Sequence, residues 1–115
     1  FDGAYNDMTT YLKQGDRLPE AFFCYNDVAA LGVIKALKEH GIRIPEDISI
    51  IGFDNLPMSS MSEPRLTTIK VPNRLIGTLA TELLVKKLST KQRKESITIQ
   101  VNGTLVVRDS VMDRR

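Results

Sequence analysis

The chain has 115 residues, of which 42% are hydrophobic and 26% charged, and a formal net charge of +2, ordinary values for one small globular unit. No apolar run approaches the roughly 20 residues that a membrane-spanning helix needs, and a single cysteine, Cys24, cannot form an internal disulfide. The basic excess is gathered at Lys86, Lys87, Lys91, Arg93 and Lys94 and at Arg114 and Arg115, which reads as solvated surface and not as the reading face of a nucleic-acid-binding element. Phe1 is neither a start methionine nor part of a signal sequence, so the chain reads as a fragment.

In residues 5–13, Tyr5, Met8 and Leu12 recur at spacings of three and four, which predicts a short amphipathic helix stopped by Gly15 in a left-handed conformation. Residues 21–25 are an apolar run of strand length. Asn26-Asp27 then precedes a periodic apolar segment. That is a helix-start signal, because such side chains accept from the free amides of the first turn. The helix predicted from Val28 to Gly41 buries Ala30, Val33, Ile34 and Leu37 and turns Lys35, Lys38 and Glu39 to water. Gly32 in its interior costs about 1 kcal/mol against alanine, which points to close packing against another backbone. His40 in the last turn suits the negative end of the helix dipole.

Pro45 prevents the helix from continuing. Ile48-Ser49-Ile50-Ile51 follows and runs directly into Gly52-Phe53-Asp54-Asn55. A continuous β-branched run is the pattern of a parallel strand buried on both faces. Strand, helix, strand predicts a parallel pair with a right-handed crossover, so Asn26 and Asp54 emerge on one edge of the sheet. Ligands of open α/β sheets bind beyond the carboxyl ends of the strands, which makes Asp54 the first candidate for a ligand contact. Asn26 reads equally as a cleft-lining residue and as a cap.

Residues 56–61 predict a helical turn with Pro57 at its first position and Met58 and Met61 on one side; residues 66–71 are β-prone and stopped by Pro72. Asn73 to Leu88 reads as the clearest helix, with Ile76, Leu79, Ala80, Leu83, Leu84 and Leu88 on one apolar face and Asn73 as a cap. A charged loop over 91–95, a half-exposed strand over 97–101, an Asn102-Gly103 turn, a final strand over 104–108 and a tail complete the chain.

There is no glycine-rich phosphate loop, and one histidine with one cysteine does not compose a zinc or haem site. His40 stands at the wrong end of its helix to serve Cys24 or Asp54. The expectation is therefore no enzyme, no metal and no cofactor. Uncharged and carboxylate groups at a sheet edge fit recognition of hydroxyls, as in a sugar or nucleoside.

Three blocks carry a family resemblance: Phe22-Phe23-Cys24-Tyr25-Asn26-Asp27-Val28-Ala29-Ala30-Leu31-Gly32; Gly41-Ile42-Arg43-Ile44-Pro45-Glu46-Asp47-Ile48-Ser49-Ile50-Ile51-Gly52-Phe53-Asp54-Asn55; and Pro64-Arg65-Leu66-Thr67-Thr68-Ile69. In this order and spacing they resemble the effector-binding domain of lactose-repressor-type (LacI/GalR) transcriptional regulators, as does the ending Leu105-Val106-Val107-Arg108-Asp109-Ser110. The resemblance implies an α/β, type I periplasmic-binding-protein-like fold, a parallel sheet with helices on both faces. Residues 1–71 and 103–115 would belong to the C-terminal lobe and 72–102 to the N-terminal lobe, with the DNA-binding domain outside this chain. It implies effector contacts at Asp54, Asn26 and Asn73, and a homodimer interface at Leu31, Ile34, Met58 and Met61. Asn73 is also explained as a helix cap. The implied function is the effector-sensing and dimerisation part of a sugar-responsive, cytoplasmic transcriptional regulator that binds operator DNA and a sugar- or nucleoside-like effector, with no membrane partner. The alternative is a transport-type periplasmic sugar-binding protein with no DNA role. The apolar face of the helix from Asn73 would lack its intended cover if most of the N-terminal lobe lies elsewhere.

Overall fold

The computed structural model describes residues 1–89 and 96–115. Its elements are α1 (Asp2–Gln14), β1 (Ala21–Phe23), α2 (Asp27–Glu39), β2 (Ser49–Phe53), α3 (Pro57–Met61), β3 (Thr67–Lys70), α4 (Asn73–Ser89) and β4 (Thr104–Val106). They fall into two compact units, one made of 1–70 with 104–115 and the other of 71–103. The charged loop expected over 91–95 lies outside the described residues.

The first unit holds one four-stranded sheet in the order β1-β2-β3-β4. The βαβ path makes β1, β2 and β3 parallel, while β4 returns antiparallel on β3, pairing Thr104 with Lys70. Register assigns the faces, because side chains directly opposite each other share one. Phe22 with Ile50, Gly52 with Thr68, and Thr68 with Val106 form the face toward α2. There Ala30, Val33, Ile34 and Leu37 pack with Ile48, Ile50 and Leu66 in the buried core. Helix α1 packs on α2 at Gly32, where an added Cβ would stand 2.5 Å from the Phe1 carbonyl oxygen. The close backbone approach expected of this glycine is thus made by the N-terminus of α1. Gly15 closes α1 in the left-handed region, at φ +76°.

The opposite face carries Phe23, Ile51, Phe53, Ile69 and Leu105, with Phe23 63% and Leu105 55% exposed. In this unit both long helices lie on the first face, and the sheet is mixed, with its one antiparallel strand at the edge. Two strands are shorter than their sequence pattern predicts. β1 ends at Phe23, although the Cys24 N–H still donates to Ile51 O at 2.8 Å. β4 ends at Val106 because the Arg108 N–H donates to the Thr67 hydroxyl (2.9 Å). The end of the chain is also more than a tail. The buried Ser110 accepts from Ile50 N–H on its carbonyl (2.8 Å), donates its hydroxyl to Ile50 O (2.6 Å) and accepts from Thr67 N–H (2.8 Å), stitching β2 to β3.

In the second unit α4 buries no residue. Ile76, Leu79, Ala80 and Leu83 line a cavity of about 200 Å³ with Ile99 and Val101, while Leu84 and Leu88 are 58% and 75% exposed. The strand expected over 97–101 does not form: residues 96–103 are neither helix nor strand. A strand exists only with a hydrogen-bonded neighbour, and alternating side chains do not supply one.

Cys24 is buried, and burial pushes its thiol up to about 11. Since the thiolate is the nucleophile, native protein at pH 8 is expected to leave Cys24 unmodified by iodoacetamide while urea-unfolded protein is alkylated. Peptide mass spectrometry checks this, and rapid native labelling would contradict it.

Candidate functional site

Asp54 lies one residue beyond β2, and Asn26 lies beyond the end of the neighbouring parallel strand β1, so both stand at the carboxyl edge of the same sheet. Asn26 is the N-cap of α2, its Oδ1 accepting from Ala29 N–H at 2.8 Å. The capping reading is therefore realised, and the side-chain amide N–H₂ remains as a donor at that edge. Asp54 is half-buried and its own N–H donates to Ile69 O (2.9 Å). Its carboxylate makes no hydrogen bond or ion pair among the described residues. Phe53 and Phe23 pack edge to face at 6.4 Å beside it, giving the polar edge an apolar ring surface, the composition typical of small-molecule sites.

Asp54 and Asn55 both have left-handed backbone, with φ of +100° and +53°, a conformation non-glycine residues adopt only when their surroundings enforce it. Three residues the sequence reading did not single out as site components supply that support. Asp27, in the first turn of α2 and 0% exposed, accepts the Thr68 hydroxyl on Oδ1 (2.5 Å) and the Leu56 N–H on Oδ2 (2.7 Å). Arg108 donates from Nη2 to Asn55 Oδ1 (2.7 Å), and from Nη1 to Leu66 O (2.7 Å) and Ser59 Oγ (3.0 Å). Thr68 also receives the Asn55 N–H, at 3.3 Å. With both oxygens engaged and no exposure, Asp27 cannot share a ligand with Asp54 as a paired acid. Sequence carries one weak sign of this role: Asn26-Asp27 supplies two capping-type residues where a helix start needs one.

Asn73 is the first residue of α4, exposed, and belongs to the second unit. Of the residues expected at an interface, Leu31 is half-buried on α2, and Met58 and Met61 on α3 are 45% and 82% exposed. Ile34 is instead 4% exposed and packed in the core, since the i, i+3, i+4 stripe with Ala30, Val33 and Leu37 turns it toward the sheet. His40 caps the far end of α2, where its Nδ1 lies 2.8 Å from Ala36 O, close enough for an N–H there to donate.

Comparison with known proteins agrees with this architecture. The periplasmic binding protein-like domain model matches residues 2–111. The chain is 43% identical to the HTH-type transcriptional repressor PurR of Pasteurella multocida, an alignment covering 98% of this chain and 33% of that protein. Its structure is similar to that of the lac repressor dimer bound to operator and an anti-inducer (TM-score 0.82, 33% identity, 96% of this chain, 37% of that chain). A LacI family regulator from Arthrobacter sp. FB24 in complex with lactose is also similar (TM-score 0.77, 34% identity, 96% of this chain, 42% of that chain). The chain spans about a third of the length of the curated relatives it matches. In sequence and fold together, the chain belongs to the periplasmic binding protein-like domain family, and over about a third of their length it is similar to LacI-type transcriptional regulators.

Proposed function

We propose that this chain is the effector-sensing part of a transcriptional regulator, in which Asp54 accepts hydrogen bonds from a sugar- or nucleoside-like effector. The observation that carries the reading is a carboxylate with no hydrogen-bond or ion-pair partner among the described residues, held at the carboxyl edge of the sheet beside an exposed aromatic surface. A carboxylate with free lone pairs is the natural acceptor for adjacent hydroxyls. The lactose complex of one similar structure and the operator complex of another support a carbohydrate effector and a DNA-binding whole protein. Asn26, through its free amide hydrogens, contributes a second polar contact. In this reading the first unit belongs to the C-terminal lobe and the second to the N-terminal lobe. The whole protein acts in the cytoplasm as a homodimer joined through Leu31, Met58 and Met61, exposed methionines being suited to interface cores, and reaches operator DNA through a domain outside these residues.

A thermal-shift screen of lactose, ribose and adenosine on the full-length protein identifies the effector class, and calorimetry then reads the site. Asp54→Ala is expected to weaken binding by about 1.5–3 kcal/mol, the scale of a hydrogen bond to a charged group, which is roughly tenfold to 150-fold in Kd. An unchanged affinity would remove Asp54 from the site.

A further inference from the structure

We infer that Asp27 and Arg108 are positioning residues for Asp54: from two sides they hold the backbone of the Asp54-Asn55-Leu56 loop in the left-handed conformation that places the Asp54 carboxylate at the sheet edge. The inference rests on the effector-binding reading for its purpose, but the restraint itself is a property of the protein without ligand.

Two consecutive non-glycine residues with positive φ relax toward ordinary backbone unless something opposes it, even though Asp and Asn tolerate this region best. Here the opposition comes from both sides of the pair. Upstream, the Asp54 N–H is still tied to β3 through Ile69 O at 2.9 Å. Downstream, the Leu56 N–H is tied to Asp27 Oδ2 at 2.7 Å. Between them, the Asn55 side chain is tied to Arg108 at 2.7 Å. Neither anchor is free to follow the loop. Asp27 is buried in α2 with its second oxygen on Thr68 of β3, and Arg108 is forked onto Leu66 O and Ser59 Oγ. Ser59 in turn donates to Leu56 O (2.6 Å), so the start of α3 belongs to the same bonded group. Charge-assisted bonds are the strong ones, and two of them, Leu56 N–H to Asp27 and Arg108 to Asn55 Oδ1, converge on the residues that follow Asp54 without engaging its carboxylate.

The test uses the full-length protein. Hydrogen exchange over residues 54–58, read without ligand, is expected to rise about tenfold or more in Asp27→Ala and in Arg108→Lys, with β2 and α1 unaffected. Asp27→Asn is expected to restore protection, because an amide oxygen can still accept from Leu56 while its N–H₂ donates to the Thr68 hydroxyl. If Asp27→Ala does not fold, Arg108→Lys carries the same readout. Lactose titrations then form a double-mutant cycle. Asp27→Ala should weaken binding about tenfold when Asp54 is present and less than about twofold in an Asp54→Ala background, since a residue acting through another loses its effect with it. Unchanged exchange in both variants, or an equal loss of affinity in both backgrounds, overturns the proposal. If exchange responds while Asp54→Ala leaves binding intact, the loop restraint stands and the effector reading falls.

Discussion

Leu37→Ala in the full-length protein is expected to lower the unfolding free energy of the first unit by about 3 kcal/mol, within the range of roughly 2–5 kcal/mol for removing a buried leucine. Leu37 is 0% exposed and sits on the stripe of α2 that faces Ile48, Ile50 and Leu66. Alanine is the better helix former, so α2 itself loses nothing and the whole cost is packing: lost transfer free energy plus the cavity left behind. The measurement is urea-induced unfolding followed by far-UV circular dichroism. A lower midpoint with an unchanged slope marks a stability effect. A loss below about 0.5 kcal/mol, the scale of an ordinary surface substitution, would mean that Leu37 is not in the core.

Gly52→Ala is expected to cost a similar amount by the opposite route. A Cβ built at Gly52 would lie 2.3 Å from Asp27 Oδ1, 2.8 Å from Leu66 Cδ2 and 3.3 Å from Asp27 Cα. Overpacking of this kind costs about 1–3 kcal/mol. Here the obstructing oxygen is not the loose tip of a surface chain, because it is buried and holds the Thr68 hydroxyl. Displacing it also weakens hydrogen bonds to a charged group, each worth about 1.5–3 kcal/mol, so a total near 3 kcal/mol follows. Unfolding in urea reads the loss. In an Asp27→Ala background the same substitution should cost less, because the clash with Oδ1 is gone; additive costs would show that the carboxylate is not what excludes a side chain at residue 52.

Gly52 and Gly32 also show how far sequence reasoning reaches. A glycine inside a helix announces a close approach because its propensity cost needs a reason, and the Phe1 carbonyl at Gly32 supplies it. A glycine at the end of an apolar strand announces nothing comparable, since strands often end in one. That Gly52 makes room for a carboxylate from α2 depends on the crossover laying the first turn of that helix against the end of β2. Asp27 was ambiguous for the same reason: next to Asn26, it reads as one of two caps, and only the fold shows that Asn26 takes the cap while Asp27 turns inward to Leu56 and Thr68. The predicted strand over 97–101 failed because alternation records which side chains are polar, and a ladder needs a partner backbone as well.

From the sequence alone come the βαβ order, the helix boundaries set by Asn26, Gly15 and Gly41, and the placing of Asp54 and Asn26 past neighbouring strand ends. All of these follow from local periodicity, capping chemistry and chain connectivity. Tertiary structure alone decided that Asp27 and Arg108 grip the Asp54 loop and that Ser110 joins β2 to β3. Those contacts join residues 29 to 60 positions apart in the chain, and which of several possible partners a polar side chain takes at that range is settled by where the packed sheet and helices bring it.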